Sequence, residues 1–441
     1  MYAVPCEPSQ RRFVENKRGS FNFGAFEVAG LYKNNQRATL IVQSWTRSIY
    51  LWFDHVYLFI PFDYHFSPQS FVKSTRMNGT SEESTIPPAP RFRSVLVTGA
   101  AGFIGYHVLE HLACSDAKWM SGIEKVVGLD RLDYSSSVPA EVETSPNKKR
   151  EVVFVKGDIT SPNTVLQVLK DHCIDTIVHL AAQTHVDNSF GNSFTFTLSN
   201  VLGTHVLLEA CKQVHPQVVR FLHVSTDEVY GENKEANHEF VESDALEPTN
   251  PYSATKAAAE SIVKAYHRSF GIPVVIARPN NVYGPRQFPE KVIPKFIRQL
   301  EASLPLTIHG GGKAQRSFLH VTDVAKALTD YILIKGIPGE VYNIGSHNVI
   351  SILELANDLC RVFEVKPQFE FVIDRAYNDQ RYHISSRKLR EELGWPGPQI
   401  PWEQGLRSTV QWYRDHQGFW PNEKAAIVAH PRLGEENTTL L

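Results

Sequence analysis

The chain has 441 residues, long enough for one large domain or two medium ones, and its 42% apolar and 21% charged residues are ordinary for a globular protein. A formal net charge of −2 excludes the strongly basic classes that bind nucleic acid or an anionic membrane surface. Five widely spaced cysteines without a C-x-x-C pair argue against a disulfide framework or a zinc site, which predicts a cytoplasmic protein with no bound metal.

Residues 1–91 differ in pattern from the rest of the chain and are predicted to form a poorly ordered extension and linker. They lack the basic and apolar regions of a secretory signal, and no apolar run is long enough to span a membrane. Ile49–Phe66 is aromatic but interrupted by charged residues and a proline, so it has neither a helical nor a strand period. The alternative interpretation is that this stretch binds a partner. If the extension is disordered, Met77 is an alternative translation start.

From Ser94 onward, short apolar runs rich in β-branched residues alternate with longer segments of helical period. Strands buried on both faces and separated by helices indicate a parallel sheet, so residues 92–285 are predicted to form an α/β, Rossmann-type doubly wound domain. The predicted strands are Ser94–Thr98, Lys125–Leu129, Val152–Val155, Thr176–His179, Arg220–Val224 and Val274–Ala277. The predicted helices include Phe103–Ala113, Thr164–Lys170, Phe194–Val214 and Tyr252–Phe270.

Beyond residue 286 the elements become shorter and prolines separate them. Helices are predicted at Thr322–Lys335, Ser351–Val362 and Trp402–Arg414. Residues 286–420 are therefore expected to form a smaller, mostly helical C-terminal substrate-binding lobe, interleaved with the first domain. This lobe should close over the carboxyl edge of the sheet, where open α/β sheets bind their ligands. Residues 421–441 are predicted to be a tail.

A glycine triplet follows the first predicted strand, with Gly99, Gly102 and Gly105 in G-x-x-G-x-x-G spacing. Glycines at the turn from a strand into a helix let backbone N–H groups approach a pyrophosphate. The second strand leads to Asp130, where a carboxylate can accept hydrogen bonds from ribose hydroxyls and disfavours a 2′-phosphate. NAD is thus predicted over NADP, although neighbouring Arg131 leaves the latter as the alternative. The predicted cofactor-binding residues are Gly99, Gly102, Phe103, Ile104, Gly105, Asp130, Asp158, Ile159, Leu180, Ala181, Ala182, Tyr252 and Lys256.

Tyr252 and Lys256 are four residues apart and therefore share one face of a helix. A free tyrosine titrates near pH ~10 and is a poor base at neutral pH. A nearby ammonium group and the positive ring of an oxidised nicotinamide favour the phenolate, which can then take a proton from a sugar hydroxyl. Without a cofactor site, the same pair would indicate only an exposed tyrosine and lysine on an amphipathic helix.

Three consecutive polar residues, Thr226, Asp227 and Glu228, follow the fifth predicted strand. Buried polar groups are costly unless they serve a ligand, and the carboxyl end of such a strand is where a ligand is expected. Two adjacent carboxyl groups suit a reaction that delivers one proton and removes another. The alternative is a solvated turn.

The motifs TGAAGFIG, AAQTHVDNSFGNS, HVSTDEVYG, YSATKAAAE, NNVYGPRQFPEKVIPKF and YNIGSHN occur in this order. In them the chain resembles the extended short-chain dehydrogenases/reductases and, within these, the dTDP-glucose 4,6-dehydratase family, especially its animal form, over residues 93–420. Two of the motifs also look like the plant enzymes that dehydrate UDP-glucose. The resemblance implies tightly bound NAD that is regenerated in each turnover, a nucleoside-diphosphate hexose substrate and a homodimer formed through the long helices.

The resemblance also implies the mechanism. Tyr252, supported by Lys256 and Thr226, removes the proton of the sugar 4-hydroxyl while hydride passes from C4 to NAD. Glu228 then removes the C5 proton and Asp227 protonates the departing 6-hydroxyl. After water has left, the hydride returns to C6, which gives a 4-keto-6-deoxy sugar nucleotide.

Residues that bind the substrate are implied more loosely. Asn281 and Arg316 match positions that contact the diphosphate in the family, and a guanidinium suits that charge. The base-binding segment 374–379 carries Asn378 where bacterial members have histidine, so both thymine and uracil remain open. The substrate-binding residues implied by the resemblance are His185, Asp187, Thr226, Asn281, Lys291, Arg316 and Asn348.

Two other functions remain as alternatives. An epimerase or a decarboxylase of the same fold would share the glycine triplet, Tyr252 and Lys256. The resemblance implies, however, that epimerases lack the acidic pair and that decarboxylases carry Ser-Glu at the positions of Asp227 and Glu228. The other alternative, a non-catalytic NAD-binding protein, would typically have lost Tyr252 or Lys256.

Overall fold

The computed structural model describes residues 92–233, 238–373 and 381–420, together with the backbone of four strands in the N-terminal extension. The chain divides into two compact units, Met1–Thr85 and Ile86–Leu441. In the first unit, two pairs of antiparallel strands form, and the second pair lies in the aromatic stretch that has no strand period in its sequence. That the extension is poorly ordered, or that it binds a partner, stays a prediction. The tail lies outside the described residues. The four strands are β1 (Arg18–Phe23), β2 (Phe26–Leu31), β3 (Ser48–Phe53) and β4 (Val56–Pro61).

The second unit is built around a parallel sheet of seven strands. The described strands of this unit are β5 (Ser94–Thr98), β6 (Lys125–Asp130), β7 (Glu151–Lys156), β8 (Thr176–His179), β9 (Arg220–Val224), β10 (Val274–Pro279), β11 (Asn281–Tyr283), β12 (Leu306–His309), β13 (Gln315–His320), β14 (Val341–Ile344), β15 (Val349–Ser351) and β16 (Phe369–Val372). The order across the sheet is β14-β10-β9-β8-β5-β6-β7. All six predicted strands are confirmed, whereas β14 was not predicted.

Helices flank the sheet on both sides, as predicted. Those that the structure describes are α1 (Phe103–Cys114), α2 (Ala140–Glu143), α3 (Pro162–Asp171), α4 (Val186–Gly191), α5 (Ser193–Phe196), α6 (Gly203–Val214), α7 (Pro251–Phe270), α8 (Val292–Glu301), α9 (Val321–Lys326), α10 (Ile352–Phe363), α11 (Arg387–Leu393) and α12 (Trp402–Asp415). Two π-helical stretches, Thr197–Leu202 and Ala327–Leu333, continue α5 and α9. None of the helices in the described part of the chain is long and apolar enough to cross a bilayer.

The central strands are buried because each contributes side chains to both faces of the sheet. Along β5, Val95 and Val97 belong to one hydrophobic cluster while Leu96 belongs to the other, as the alternation of a strand requires. All three side chains have no exposed surface. This burial on both faces accounts for the continuous apolar runs in the sequence.

The C-terminal elements form a smaller lobe but also return to the main sheet. A three-stranded sheet, β11-β13-β15, and the pair β12–β16 surround a separate core with α8, α10 and α12. After α9 the chain comes back, and β14 pairs in parallel with β10 at the edge of the large sheet. Part of the lobe is therefore inserted between the sixth and seventh strands of that sheet, and its remaining elements follow the seventh strand.

Candidate active site

The turn between β5 and α1 forms a cradle that only glycine permits. Gly99 has a φ of +72°, and a Cβ atom there would lie 2.8 Å from the main-chain nitrogen of Ala181. A Cβ atom on Gly105 would lie 2.0 Å from the Gly99 carbonyl oxygen. The first turn of α1 can thus pack directly on the loop. Its N-terminal amides have no side-chain cap, which leaves an N-terminus suited to a pyrophosphate.

Two carboxylates follow the cradle at the ends of β6 and β7. Asp130 accepts hydrogen bonds from the main-chain N–H groups of Ala101, at 3.1 Å, and Leu132, at 2.8 Å. Burial raises the pKa of Asp130. The guanidinium of Arg131 lies 2.6 Å from an oxygen of Asp133 and 3.6 Å from one of Asp158. Arg131 is therefore already paired with two carboxylates.

A cleft of about 340 Å³ extends from this cradle along the carboxyl edge of the sheet. Its volume lies in the range of roughly 300–1,000 Å³ that is usual for ligand pockets. All thirteen residues predicted to bind a cofactor line it, as do all five predicted catalytic residues. Among the predicted substrate-binding residues, the cleft is lined by Thr226, Asn281 and Lys291. The fold thus brings the cofactor and catalytic residues together.

Tyr252 and Lys256 face the cleft from the first turns of α7. The helix begins at a capping box in which Asn250 accepts a hydrogen bond from the main-chain N–H of Ser253. The Lys256 ammonium donates to the Val224 carbonyl oxygen at 2.7 Å, and burial lowers the pKa of Lys256 to about 8. Both side chains are more than nine-tenths buried.

The protein groups around Tyr252 raise its pKa, and the lowering predicted from Lys256 together with a nicotinamide ring stays a prediction. Burial and then the neighbouring Glu228 carboxylate raise it, and a hydrogen bond with Thr226 only partly offsets them. Lys256 is not among the groups that shift it. The predicted lowering of the tyrosine pKa is therefore not supplied by the protein side chains.

Asp227 and Glu228 differ in their surroundings although they are adjacent. Asp227 is only 2% exposed, and burial together with the Glu228 carboxylate raises its pKa to about 7. Its two oxygens accept from the Asn280 amide at 2.6 Å and the Thr226 hydroxyl at 3.3 Å. Glu228 is less buried and accepts from the Asn250 amide at 3.3 Å. Asp227 can therefore hold a proton near neutral pH, as a general acid requires.

The remaining residues predicted to bind the substrate do not line the cleft. His185 caps α4, and its ring lies 4.0 Å from the Glu290 carboxylate. The Arg316 guanidinium stacks 5.0 Å from the centre of the Tyr382 ring and is close enough to lower the pKa of Asp227. Asp187 and Asn348 also do not line the cleft. Segment 374–379, with Asn378, lies outside the described residues.

Asn280 and Glu290 are among the cleft residues that were not predicted from the sequence. Asn280 contacts Asp227, and Glu290 accepts a hydrogen bond from the Tyr134 hydroxyl at 2.9 Å. Burial raises the pKa of Glu290. Both residues occur in the motif that begins at Asn280, in which Asn281 and Lys291 were considered alone. Their positions next to Asn281 and Lys291 in the motif could have identified them as candidate site residues.

Comparison with known proteins agrees with this geometry. Residues 96–409 match the family described as GDP-mannose 4,6 dehydratase. The chain is 49% identical over 349 residues to a trifunctional UDP-glucose 4,6-dehydratase/UDP-4-keto-6-deoxy-D-glucose 3,5-epimerase/UDP-4-keto-L-rhamnose-reductase of Arabidopsis thaliana, which covers 77% of this chain and 50% of the plant protein. It thus spans about half the length of such plant relatives.

Shorter relatives match over nearly their whole length. The dTDP-D-glucose 4,6-dehydratase of Mus musculus is 43% identical over 79% of this chain and 97% of its own. The crystal structure of the dTDP-glucose 4,6-dehydratase DesIV from Streptomyces venezuelae with NAD and TYD bound superimposes with a TM-score of 0.69 at 36% identity. That match covers 75% of this chain and 99% of the other.

Proposed function

The chain belongs to the GDP-mannose 4,6 dehydratase family, and on this premise we propose that it is an NAD-dependent 4,6-dehydratase of a nucleoside-diphosphate glucose. The observation that carries the proposal is the buried carboxyl group of Asp227, whose pKa is raised to about 7 beside Glu228 and Tyr252 in one cleft. A dehydration needs a proton for the departing hydroxyl, and such a carboxyl group provides it. An epimerase would have no use for it.

The residues of the cleft fit NAD. Gly99 and Gly105 let the loop pack closely on α1 and on Ala181, which leaves the uncapped N-terminus of α1 facing the cleft, where a pyrophosphate would bind. Asp130 stands where ribose hydroxyls are expected, and Arg131 is occupied by two carboxylates rather than free for a 2′-phosphate. When bound, NAD would accept a hydride from C4 of the sugar and return the same hydride to C6.

Tyr252 serves as the first base. It accepts the proton of the 4-hydroxyl, while Thr226 hydrogen-bonds the same tyrosine. Because the surrounding protein groups raise the pKa of Tyr252, its ionisation would depend on the positive charge of the nicotinamide ring. Lys256 contributes a buried ammonium that the Val224 carbonyl holds in place.

Asp227 and Glu228 then act on the 4-keto sugar. The ketone makes the C5 proton acidic, and Glu228 removes it. Asp227 gives its proton to the departing 6-hydroxyl, which leaves as water. The role of each carboxyl group follows from its surroundings, since the more buried group retains its proton and the more exposed one accepts it.

The nucleotide is held from the smaller lobe. Asn281 and Lys291 line the cleft, and Arg316, although outside it, places a positive charge near Asp227. His185, Asp187 and Asn348 do not line the cleft, and their part in binding stays a prediction.

The test of the function is turnover of UDP-glucose and dTDP-glucose by the purified protein. We expect at least one to give a product lighter by one water, detected by mass spectrometry, with no net consumption of NAD. The ratio of the two kcat/KM values decides between uracil and thymine. A product of unchanged mass would indicate an epimerase, and no product from either nucleotide sugar would contradict a dehydratase.

The two half-reactions should depend on pH in opposite directions. Elimination requires protonated Asp227, so it should slow as the pH rises through about 7. Oxidation at C4 requires ionised Tyr252, whose pKa is raised, and it should therefore become faster with rising pH. Single-turnover measurements separate the two, because reduced nicotinamide absorbs light and loss of water changes the mass. Parallel pH profiles would contradict the assignment.

We also propose a cytoplasmic homodimer. The four cysteines among the described residues are free thiols, which suits a reducing compartment. Phe194, Leu198 and Leu202 are four residues apart and 64%, 45% and 43% exposed, which makes an apolar stripe beside α7. Such a stripe is typical of an interface between helices.

Charge in this stripe should separate the subunits. Leu198→Glu is expected to convert the dimer into a monomer in light scattering, because a carboxylate in an apolar interface is costly. The control is Leu304→Glu, since Leu304 is similarly exposed (49%) but lies outside the stripe. A dimer that persists in Leu198→Glu, or a wild-type monomer, would contradict the interface.

A further inference from the structure

Asn280 lies between Asp227 and the backbone at the end of β14. It follows β10 directly, lines the cleft and is 3% exposed. Its main-chain N–H donates to the Ile344 carbonyl oxygen of β14 at 3.0 Å. The residue is thus held by the last strand of the large sheet rather than by a mobile loop.

The orientation of the Asn280 amide is determined by its partners. The main-chain N–H of Ser346 donates to Oδ1 at 3.1 Å. A peptide N–H cannot accept a hydrogen bond, so the amide oxygen must face Ser346. The amide nitrogen Nδ2 must therefore face Asp227, to which it donates at 2.6 Å.

This orientation makes the two oxygens of Asp227 unequal. Oδ2 receives the Asn280 amide, which can only donate, so Oδ2 cannot share a proton along that bond. Oδ1 receives the Thr226 hydroxyl at 3.3 Å, and a hydroxyl can turn and accept instead. A proton on Asp227 is therefore best placed on Oδ1, on the side of Thr226 and Tyr252.

We propose that Asn280 is a positioning residue that keeps Oδ2 of Asp227 as an acceptor, so that the proton delivered to the departing sugar hydroxyl is carried on Oδ1. This rests on the proposed dehydration. In that step the Oδ1–H bond breaks, the proton joins the 6-hydroxyl oxygen, and the C6–O bond breaks to release water. The electron pair of the C5–H bond forms the C5–C6 double bond, and Glu228 takes the C5 proton. Asp227 is left as a carboxylate, which the Asn280 amide stabilises.

The test compares the two half-reactions in Asn280→Ala and Asn280→Asp. We expect oxidation at C4 to be nearly unchanged and elimination to slow roughly 10- to 100-fold, as for loss of a hydrogen bond to a charged group. Without the donor, the Asp227 carboxylate is less stable and the pKa of Asp227 rises. The pH at which the rate of elimination falls should therefore be higher in Asn280→Ala than in the wild-type protein. The control, Asn357→Ala, removes an amide that bonds the Leu353 carbonyl of its own helix, and should leave both half-reactions unchanged.

Three outcomes would overturn the proposal. One is an unchanged rate and pH profile of elimination. Another is an equal loss of oxidation and elimination, which would indicate a merely structural role. The third is a pH profile of elimination that shifts to lower pH in Asn280→Ala. If Asn280→Ala does not fold, Asn280→Asp, which keeps the shape of the side chain, decides by the same half-reactions. Failure of the proposed function is distinguishable, because the wild-type protein would then release no water.

Discussion

Replacing Asp227 by asparagine should block dehydration and leave oxidation at C4 intact. Asparagine has the same shape and can keep the contacts with Asn280 and Thr226, but it has no acidic proton to give. Loss of a general acid lowers the rate by roughly 10²- to 10⁴-fold. In a single turnover, reduced nicotinamide should accumulate while the sugar nucleotide keeps its mass.

The control for this change is Asp171→Asn, at an exposed carboxylate on α3 that should not affect either half-reaction. Product formed at the wild-type rate by Asp227→Asn would exclude Asp227 as the acid. Loss of both half-reactions together would instead mean that Asp227 organises the cleft.

Replacing Tyr252 by phenylalanine should slow the reaction at its first step, the oxidation at C4. Phenylalanine keeps the packing against Phe196, whose ring centre lies 6.3 Å away, and removes only the hydroxyl that takes the proton. We expect the rate of oxidation at C4 to fall by roughly 10²-fold or more. The rate of elimination should fall with it, because elimination acts on the oxidised sugar. Absorbance of reduced nicotinamide in a single turnover measures the effect.

Tyr331→Phe provides the comparison, because Tyr331 lies in the π-helical stretch after α9, away from the cleft. Near-normal oxidation by Tyr252→Phe would exclude the tyrosine as the base. Together the two main variants separate the steps, since Asp227→Asn stops after oxidation and Tyr252→Phe stops before it.

Local sequence patterns were enough to predict six strands of the sheet and residues that line the cofactor side of the cleft. The six predicted strands are continuous apolar runs next to turn residues, and residues at the carboxyl ends of parallel strands necessarily meet. The seventh strand, β14, has only four residues and includes Asn343. Its partner β10 precedes it by more than sixty residues, so no local period indicates the pairing.

Side-chain direction accounts for the residues that were missed or do not line the cleft. The resemblance implies that Arg316 contacts the diphosphate, but its guanidinium lies over the ring of Tyr382, which belongs to a distant segment. Asn280 precedes a residue with an implied role, yet its own contacts come from Asp227 and Ser346. Contacts between segments so far apart in the chain depend on tertiary packing, which spacing alone does not encode.

The return of β14 to the edge of the large sheet has a consequence for how the protein unfolds. Its backbone completes the hydrogen bonding of β10, and the strand joins the hydrophobic cluster through Tyr342 and Ile344. A chain cut near residue 285 would lack this strand and leave an apolar sheet edge open to aggregation. The two lobes should therefore melt together in one cooperative transition, and neither should be recoverable as an independent fragment.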